Sequence, residues 1–575
     1  MVRLSTFLLL GASAALQATA QTPEPARIFG TNGCIDIPYS IFNQTAFKSH
    51  ALQPDGKLLL AGWGGDGFPY EARMARIDTA CGDLDPTFGQ NGVRLHFFEA
   101  RTLCHAIALQ ADGKIVGGGT IAASNAGSGQ FPGVFRYNAD GSVDSTFNGT
   151  GYNNTGFSSG QLSGTVQDLF IMNDGRILAA VMGYSKLGAF RYLPDGTLDT
   201  TYSADGRAEM PVNYTPGPEI IAGVMDPDGS LTLAGLLGTS PFEPYFMGLT
   251  RFMPDGQPDT TFGANGLAVH PTVIATPGNP EGYKDWDIVR RPGGGFLVAY
   301  GVQLGVTSPS VVAFTDSGTV DSTYATNGIY HFADDNASGS GLLMETDGSA
   351  MLFIKHNFNA GPGAIVKLTP AGQPDPAFGT NGVLLAPFGP PQDNRGFVDG
   401  FRLPGGDLIA YGNNTNGSGM VVRFSLNAEA NALPVISYVH PHLVVSGGGS
   451  IQWFLDGEPI NGATGSTHSP TQNGTYTVEM NSFGCVNTSP PFQFLSVGIA
   501  DVEDVGITFR QDLAAGRLFI QNDAAATDWL LVDASGRALR QGVLRSGANE
   551  VSTTDLRSGV YLLRCGGLVH RFVVQ

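Results

Sequence analysis

Phe135-Arg-Tyr-Asn-Ala-Asp-Gly-Ser-Val-Asp144-Ser-Thr-Phe147 ends on an aspartate, two variable residues and an aromatic ring, and this ending recurs along the chain. Asp85 to Phe88, Asp199 to Tyr202, Asp259 to Phe262, Asp321 to Tyr324 and Asp375 to Phe378 repeat it, mostly followed by Gly-x-Asn-Gly. Phe29-Gly-Thr-Asn-Gly33 is a partial seventh copy near the N-terminus. The rings fall 54 to 62 residues apart. Loops of different length added to a fixed unit produce such drift, so the stretch belongs to an internal repeat.

A second mark runs in step with the first. Two-residue turns stand between apolar runs at Asp55-Gly56, Asp112-Gly113, Asp174-Gly175, Asp228-Gly229, Gly293-Gly294, Asp347-Gly348 and Gly405-Gly406. Gly and Asp tolerate the positive φ that hairpin turns require. The flanks Ala106-Ile-Ala-Leu-Gln and Lys114-Ile-Val-Gly-Gly alternate with the strand period, so each unit reads as four short strands. With 80 Gly, 35 Pro and 14% charged residues, a 575-residue chain of this kind is all-β and too long for one core.

From residue 26 to 427 there are seven turns and seven anchors. The unit ending in Val421-Val422-Arg423-Phe424 lacks a trailing anchor, and Phe29 is the anchor without a unit. An N-terminal segment that completes the last unit closes a ring, which is the logic of a seven-bladed β-propeller. A solenoid would need capping repeats at both ends, and none is visible. Units such as Leu109-Gln-Ala-Asp-Gly-Lys-Ile-Val and the stretch quoted above resemble the bacterial delta-60 repeat. The resemblance implies a propeller and no particular activity.

Residues 1–20 have the layout of a cleaved secretory signal: Arg3, an apolar run from Phe7 to Leu16, then Ala18-Thr19-Ala20. No later apolar stretch approaches a membrane span, so a secreted or outer-surface protein is expected. The formal charge of −19 argues against nucleic acid as a partner. Among Cys34, Cys81, Cys104, Cys485 and Cys565, one bridge is expected within the first three. The aspartate of each anchor should fasten a turn, and each anchor ring should pack between neighbouring units. Each link offers too few oxygens for calcium, so no cofactor or metal is expected.

Function is expected where the units differ. In an antiparallel meander the tight turn and the anchor link share one face, and the insertions share the other. On the second face, Glu281-Gly-Tyr-Lys-Asp-Trp-Asp287 offers Tyr283 and Trp286 to stack on a sugar ring and Asp285 and Asp287 to bind its hydroxyls. Trp63, Asp66 and Tyr70 form a similar group, and in both places a Trp covering its own unit is the competing reading. Gly156-Phe-Ser158-Ser-Gly160 matches the nucleophile-elbow pattern without the strand-turn-helix it needs, so no catalytic residue is assigned.

The period stops after residue 427, and 428–434 reads as a linker. Residues 435–497, with Ile451-Gln-Trp-Phe-Leu-Asp-Gly-Glu and Gly474-Thr-Tyr-Thr-Val, resemble the Ig-like domains of secreted Bacteroidota proteins, with Trp453 in the core and Tyr476 on a late strand. Residues 500–575 carry Leu530-Leu-Val-Asp533-Ala-Ser-Gly536-Arg537 and Ser558-Gly559-Val-Tyr561-Leu-Leu. They resemble the C-terminal sorting domain of type IX secretion cargo, which implies a small β-sandwich and that secretion machinery as partner. Phe509-Arg-Gln-Asp stands where the family has Pro-Asn-Pro. The expected role is non-catalytic recognition, adhesion or scaffolding through the variable face, with a polysaccharide or surface protein as ligand. The alternative is a polysaccharide-active hydrolase or lyase with its site in the propeller channel.

Overall fold

The computed structural model describes residues 24–25, 34–37, 46–65, 70–123, 129–158, 164–183, 186–211, 222–237, 245–275, 286–301, 309–333, 337–356, 363–385, 396–413, 419–425, 434–439, 441–446, 450–482, 485–494, 506–512, 516–534, 536–566 and 568–574. The chain forms two compact units, the first Met1–Val435 with Gly447–Ser450 and Met480–Thr488, the second Ile436–Ser446, Ile451–Glu479 and Ser489–Gln575. Among the described residues no helix is long and apolar enough to cross a membrane.

The first unit is a β-propeller. Seven antiparallel sheets follow one another, each with its strands in chain order. Sheet one, Ala46–Leu52, Lys57–Gly64, Glu71–Asp78 and Val93–His96, sets the pattern. The first strands begin at Ala46, Arg101, Gly164, Ala222, Trp286, Ala337 and Gly396. Each packs on the first strand of the next sheet, and the seventh packs back on the first. A strand that meets its counterpart on both sides lines the axis, so the fourth strands lie outside.

Sheet seven contributes only Gly396–Arg402, Leu408–Asn413 and Gly419–Ser425 from its own stretch of chain. Its outer strand is Cys34–Ile37, in register Cys34 to Val422 and Ile37 to Gly419, with Glu24–Pro25 paired further along to Ser425 and Phe424. The N-terminus therefore closes the ring, and its pairing begins two residues before the boundary read from sequence. Phe29 lies outside the described residues.

The core is a set of clusters between sheets. One joins Ile37, Phe47, Leu58 and Leu60 to Phe401, Ile409, Tyr411 and Val421 across the closing seam. The anchors Phe88, Phe147, Tyr202, Phe262, Tyr324 and Phe378 are all buried, at most 5% exposed. Neither Cys34 nor Cys104, both buried and in separate clusters, is disulfide-bonded, whereas Cys81 is, so the bridge expected within the first three cysteines does not form. Radial packing puts one on the outer closing strand and the other on an axial strand.

In the second unit Val435–Val439, His442–Ser446 and Thr467–His468 form one sheet, and Ser450–Leu455 with Gly474–Ser482 centre another. Trp453 is fully buried and donates Nε1–H to Gly465 O at 2.8 Å. Tyr476 is 1% exposed, and its hydroxyl donates to Gln472 O. Further along, Ile507–Asp512, Arg517–Asn522 and Gly547–Ser552 make a three-stranded sheet. Thr527–Asp533, Ala538–Leu544, Gly559–Cys565 and Leu568–Val574 make a four-stranded one. Leu518, Ile520 and Val551 from the first share a core with Leu531, Tyr561, Leu563 and Phe572 from the second, which is a small β-sandwich.

Candidate functional site

Each propeller sheet has two unlike ends. The tight turn joins strands one and two and the anchor link joins strands three and four, so antiparallel order puts both at one end. There the repeated charged groups are paired, while the buried hydroxyls of the anchor rings Tyr202 and Tyr324 have no hydrogen-bond partner among the described residues. Asp144 Oδ1 accepts from Thr146 N at 3.1 Å and from its hydroxyl, and Oδ2 accepts from Arg136 Nε at 2.7 Å. Arg136 stacks over Phe147 at 4.7 Å and donates to Pro194 O of the next sheet. The same set recurs as Arg76, Asp85 and Phe88, as Arg191, Asp199 and Tyr202, and as Arg251, Asp259 and Phe262. Arg423 donates to Thr79 O and so ties sheet seven to sheet one. Burial works against the charge on Asp144, but Thr146, Lys114 and Arg136 overcome it and hold the carboxyl well below the usual range.

The aspartates fasten turns and the rings pack between sheets, as the repeat pattern implied. The arginine was missed, although a basic residue eight or nine positions before the aspartate was a legible signal. Sheet five shows why spatial position matters more than spacing. Ala313 stands where the strand arginine should be, and Arg291 from the first turn takes the place instead, 2.7 Å from Asp321 Oδ2 and over Tyr324.

Along the axis, the residue six positions before each turn is Ser49, Ala106, Asp168, Ala222, Asp287, Gly341 and Asp399 in turn, so hydrogen-bonding and small residues alternate. The larger side chain reaches the backbone of the following sheet. Ile107 N donates to Ser49 Oγ at 3.1 Å, Gly223 N to Asp168 Oδ2 at 2.7 Å, and Leu342 N to Asp287 Oδ2 at 2.7 Å. An odd number of sheets cannot alternate throughout, and the exception falls at the seam. There Asp399 Oδ2 accepts from the Tyr411 hydroxyl at 3.1 Å and lies 3.4 Å from His50 Nδ1, which is 3.0 Å from the same hydroxyl. Burial, then Asp399, Asp287 and Asp168, push the Tyr411 phenol far up, so it stays a neutral donor.

The opposite end of the sheets holds the insertions. Trp63 is the penultimate residue of the second strand of sheet one, and its half-buried ring lies 5.1 Å from Tyr70 and 6.4 Å from His105 of sheet two. Its Nε1 is buried and has no hydrogen-bond partner among the described residues. Thr102 N donates to Tyr70 O, which sets the first strand of sheet two against this corner. Arg101, 7% exposed, is adjacent; burial lowers its affinity for the proton and the Tyr70 phenol acts the other way. Asp66 lies outside the described residues.

The other predicted group is not brought together in the same way. Tyr283 and Asp285 lie outside the described residues. Trp286 is 3% exposed, packs on Tyr300 at 5.6 Å and lies in the core cluster between sheets four and five, which leaves no ring face for a sugar. Asp287 turns to the axis, with both oxygens accepting backbone N–H groups. Ser158 of the elbow-like motif hydrogen-bonds through N and Oγ to Glu209, itself paired with Lys186, so the carboxylate holds the turn. Among the described residues no three His, Cys, Asp or Glu side chains are placed to hold a metal ion. In the C-terminal sandwich Asp533 and Arg537 bracket a turn at 3.1 Å with Gly536 at φ 84°, Gly559 opens a strand, and Tyr561 is buried.

A family model described as a β-propeller domain of unknown function, DUF5122, matches residues 53–88 and 110–147, each span running from a tight turn to an anchor ring. No curated protein matches the chain. Among solved structures, PorZ, a surface component of the type-IX secretion system of Porphyromonas gingivalis, is similar at 11% identity and a TM-score of 0.36. The match covers 92% of this chain and 59% of PorZ, so the chain spans less than two thirds of that protein. The polysaccharide lyase Uly1 is similar at 12% identity and a TM-score of 0.40, over 66% of this chain and 90% of its own. A protein of unknown function from Dyadobacter fermentans is similar at 11% and 0.33, over 58% and 97%.

Proposed function

We propose that this chain is an exported cell-surface or extracellular protein that acts without catalysis, recognising or scaffolding a partner through the insertion-bearing end of its propeller. The observation that carries the reading is the contrast between the two ends. At one end the repeated aspartates fasten turns and Arg76, Arg136 and Arg191 reach carbonyls of the next sheet, and along the axis Asp168, Asp287 and Asp399 accept from backbone or seam partners. At the other, Trp63 and Tyr70 meet at a corner where the indole N–H has no acceptor among the described residues. Residues 1–20 serve as the signal, 435–497 as an Ig-like spacer, and 500–575 as the sorting domain that engages type IX machinery, with Asp533, Gly536, Arg537, Gly559 and Tyr561 as its motif.

One observation favours the second reading, a hydrolase or lyase working in the channel. His50 Nδ1 is held by Asp399 and Tyr411, the orientation that leaves Nε2 as a base. A turnover screen of the full chain against polysaccharides separates the two. Binding without new chain ends is expected; new reducing or unsaturated ends that vanish in His50→Ala would replace recognition by catalysis.

A further inference from the structure

Cys81 is disulfide-bonded, while Cys34, Cys104 and Cys565 are not. The chain has five cysteines, so a bond within it leaves Cys485 as the partner. Cys485 opens the strand Cys485–Thr488, and Met480–Thr488 belongs to the same compact unit as the propeller although it lies well beyond sheet seven in the chain. We infer that Cys81 and Cys485 form a disulfide that clasps the closing seam of the ring.

The place of Cys81 gives the bond this role. Cys81 is half-buried in the anchor link of sheet one, directly after Thr79 and Ala80. Both of those carbonyls accept from Arg423 Nη1, at 2.8 and 3.3 Å, and Arg423 lies on the third strand of sheet seven. Thr79 Oγ1 donates to Gly56 O at 2.6 Å and Ala80 N to Asp78 Oδ1 at 2.7 Å, so the link is held on its own sheet too. A third strand runs from the insertion-bearing end towards the links, so the chain leaves sheet seven at the end where Cys81 lies. A bond from there to Cys485 joins the first sheet to the chain that follows the last. The loop it closes is about 400 residues long and contains sheets two to seven. Cross-linking residues so far apart takes freedom from the unfolded chain, and the effect grows with the loop.

The bond forms when the two thiols give up two protons and two electrons to a disulfide oxidant, glutathione disulfide or an oxidised dithiol protein, which is reduced to two thiols. Competing exchange is suppressed. Burial pushes the Cys104 and Cys565 thiols up, to about 12 and about 11, so neither offers a thiolate that would attack it.

The test is peptide mapping of the full chain after equilibration with glutathione disulfide, alkylation and tryptic cleavage without reduction. The fragments 77–94 and 424–510 each hold one cysteine and should elute as a linked pair that reduction separates. Fragment 77–94 recovered alkylated, or linked to any other fragment, overturns the pairing. So does a covalent dimer on a gel run without reductant. Cys81→Ser and Cys485→Ser should each lower the unfolding midpoint under oxidising conditions, the double variant no further than either. Reduction should bring the parent to the same value. Single variants that keep the parent midpoint overturn the clasp.

Discussion

Arg136 shows what a single residue does in this ring. It neutralises Asp144, covers Phe147 and reaches the carbonyl of Pro194 in the next sheet, so one side chain satisfies a buried carboxylate and joins two sheets. Both members of the pair are buried, at 6% and 4% exposure. Removing the guanidinium leaves Asp144 to Thr146 and Lys114 but loses its charged hydrogen bonds, and Arg136→Ala should cost about 1.5 to 3 kcal/mol. Denaturant unfolding measures it, and a midpoint within error of the parent would refute the role. The recurring aspartate was legible in the sequence because it sits at fixed spacing from its ring. Arg291 was not, because it replaces the missing arginine of Ala313 from the first turn of the sheet, and only three-dimensional proximity to Asp321 identifies it.

At the scale of elements, the decisive pairing is between Cys34–Ile37 and Gly419–Ser425. It covers the edge of sheet seven with residues nearly 400 positions away in sequence. A chain lacking residues 1–37 should lose that outer strand and expose an apolar edge at Met420, Val421 and Val422, all fully buried in the closed ring. Light scattering should show association of the truncated chain, and a lower unfolding midpoint should accompany it. A monomer with the parent midpoint would show that closure depends on the axial seam of Asp399, His50 and Tyr411 instead. That seam could not be read from the sequence, since its members lie on sheets one and seven.

The whole ring is held by carboxylates that must stay charged. Asp85, Asp144, Asp199, Asp259 and Asp321 all have their pKa lowered in the folded state, Asp199 from 3.8 to about 2. A depressed folded value adds stability that is present above the unfolded value and lost as pH falls through the folded one. Thermal midpoints should therefore hold down to about pH 4 and then drop steeply towards about pH 2, as several identical pairs discharge together. Asp199→Asn should lower the midpoint at neutral pH and flatten part of that acid slope. An acid profile unchanged by the substitution would count against the paired carboxylates as its cause.

Repetition made the architecture legible: seven turns and the recurring rings fix strand order, the face that carries insertions and the segment that closes the ring, because each follows from local spacing and antiparallel order. The spacing of Ser49, Asp168, Asp287 and Asp399 from their turns was also present in the chain, but without the axis it had no meaning. Whether a tryptophan is a cover or a binding surface depended on packing. Trp286 is enclosed between sheets four and five against Tyr300, whereas Trp63 stands half-buried where sheet two brings His105 towards it. Sequence fixes what each sheet contains; the company a side chain keeps across the gap between sheets is set by radial packing, which places residues from different repeats in contact and leaves no trace in either repeat alone.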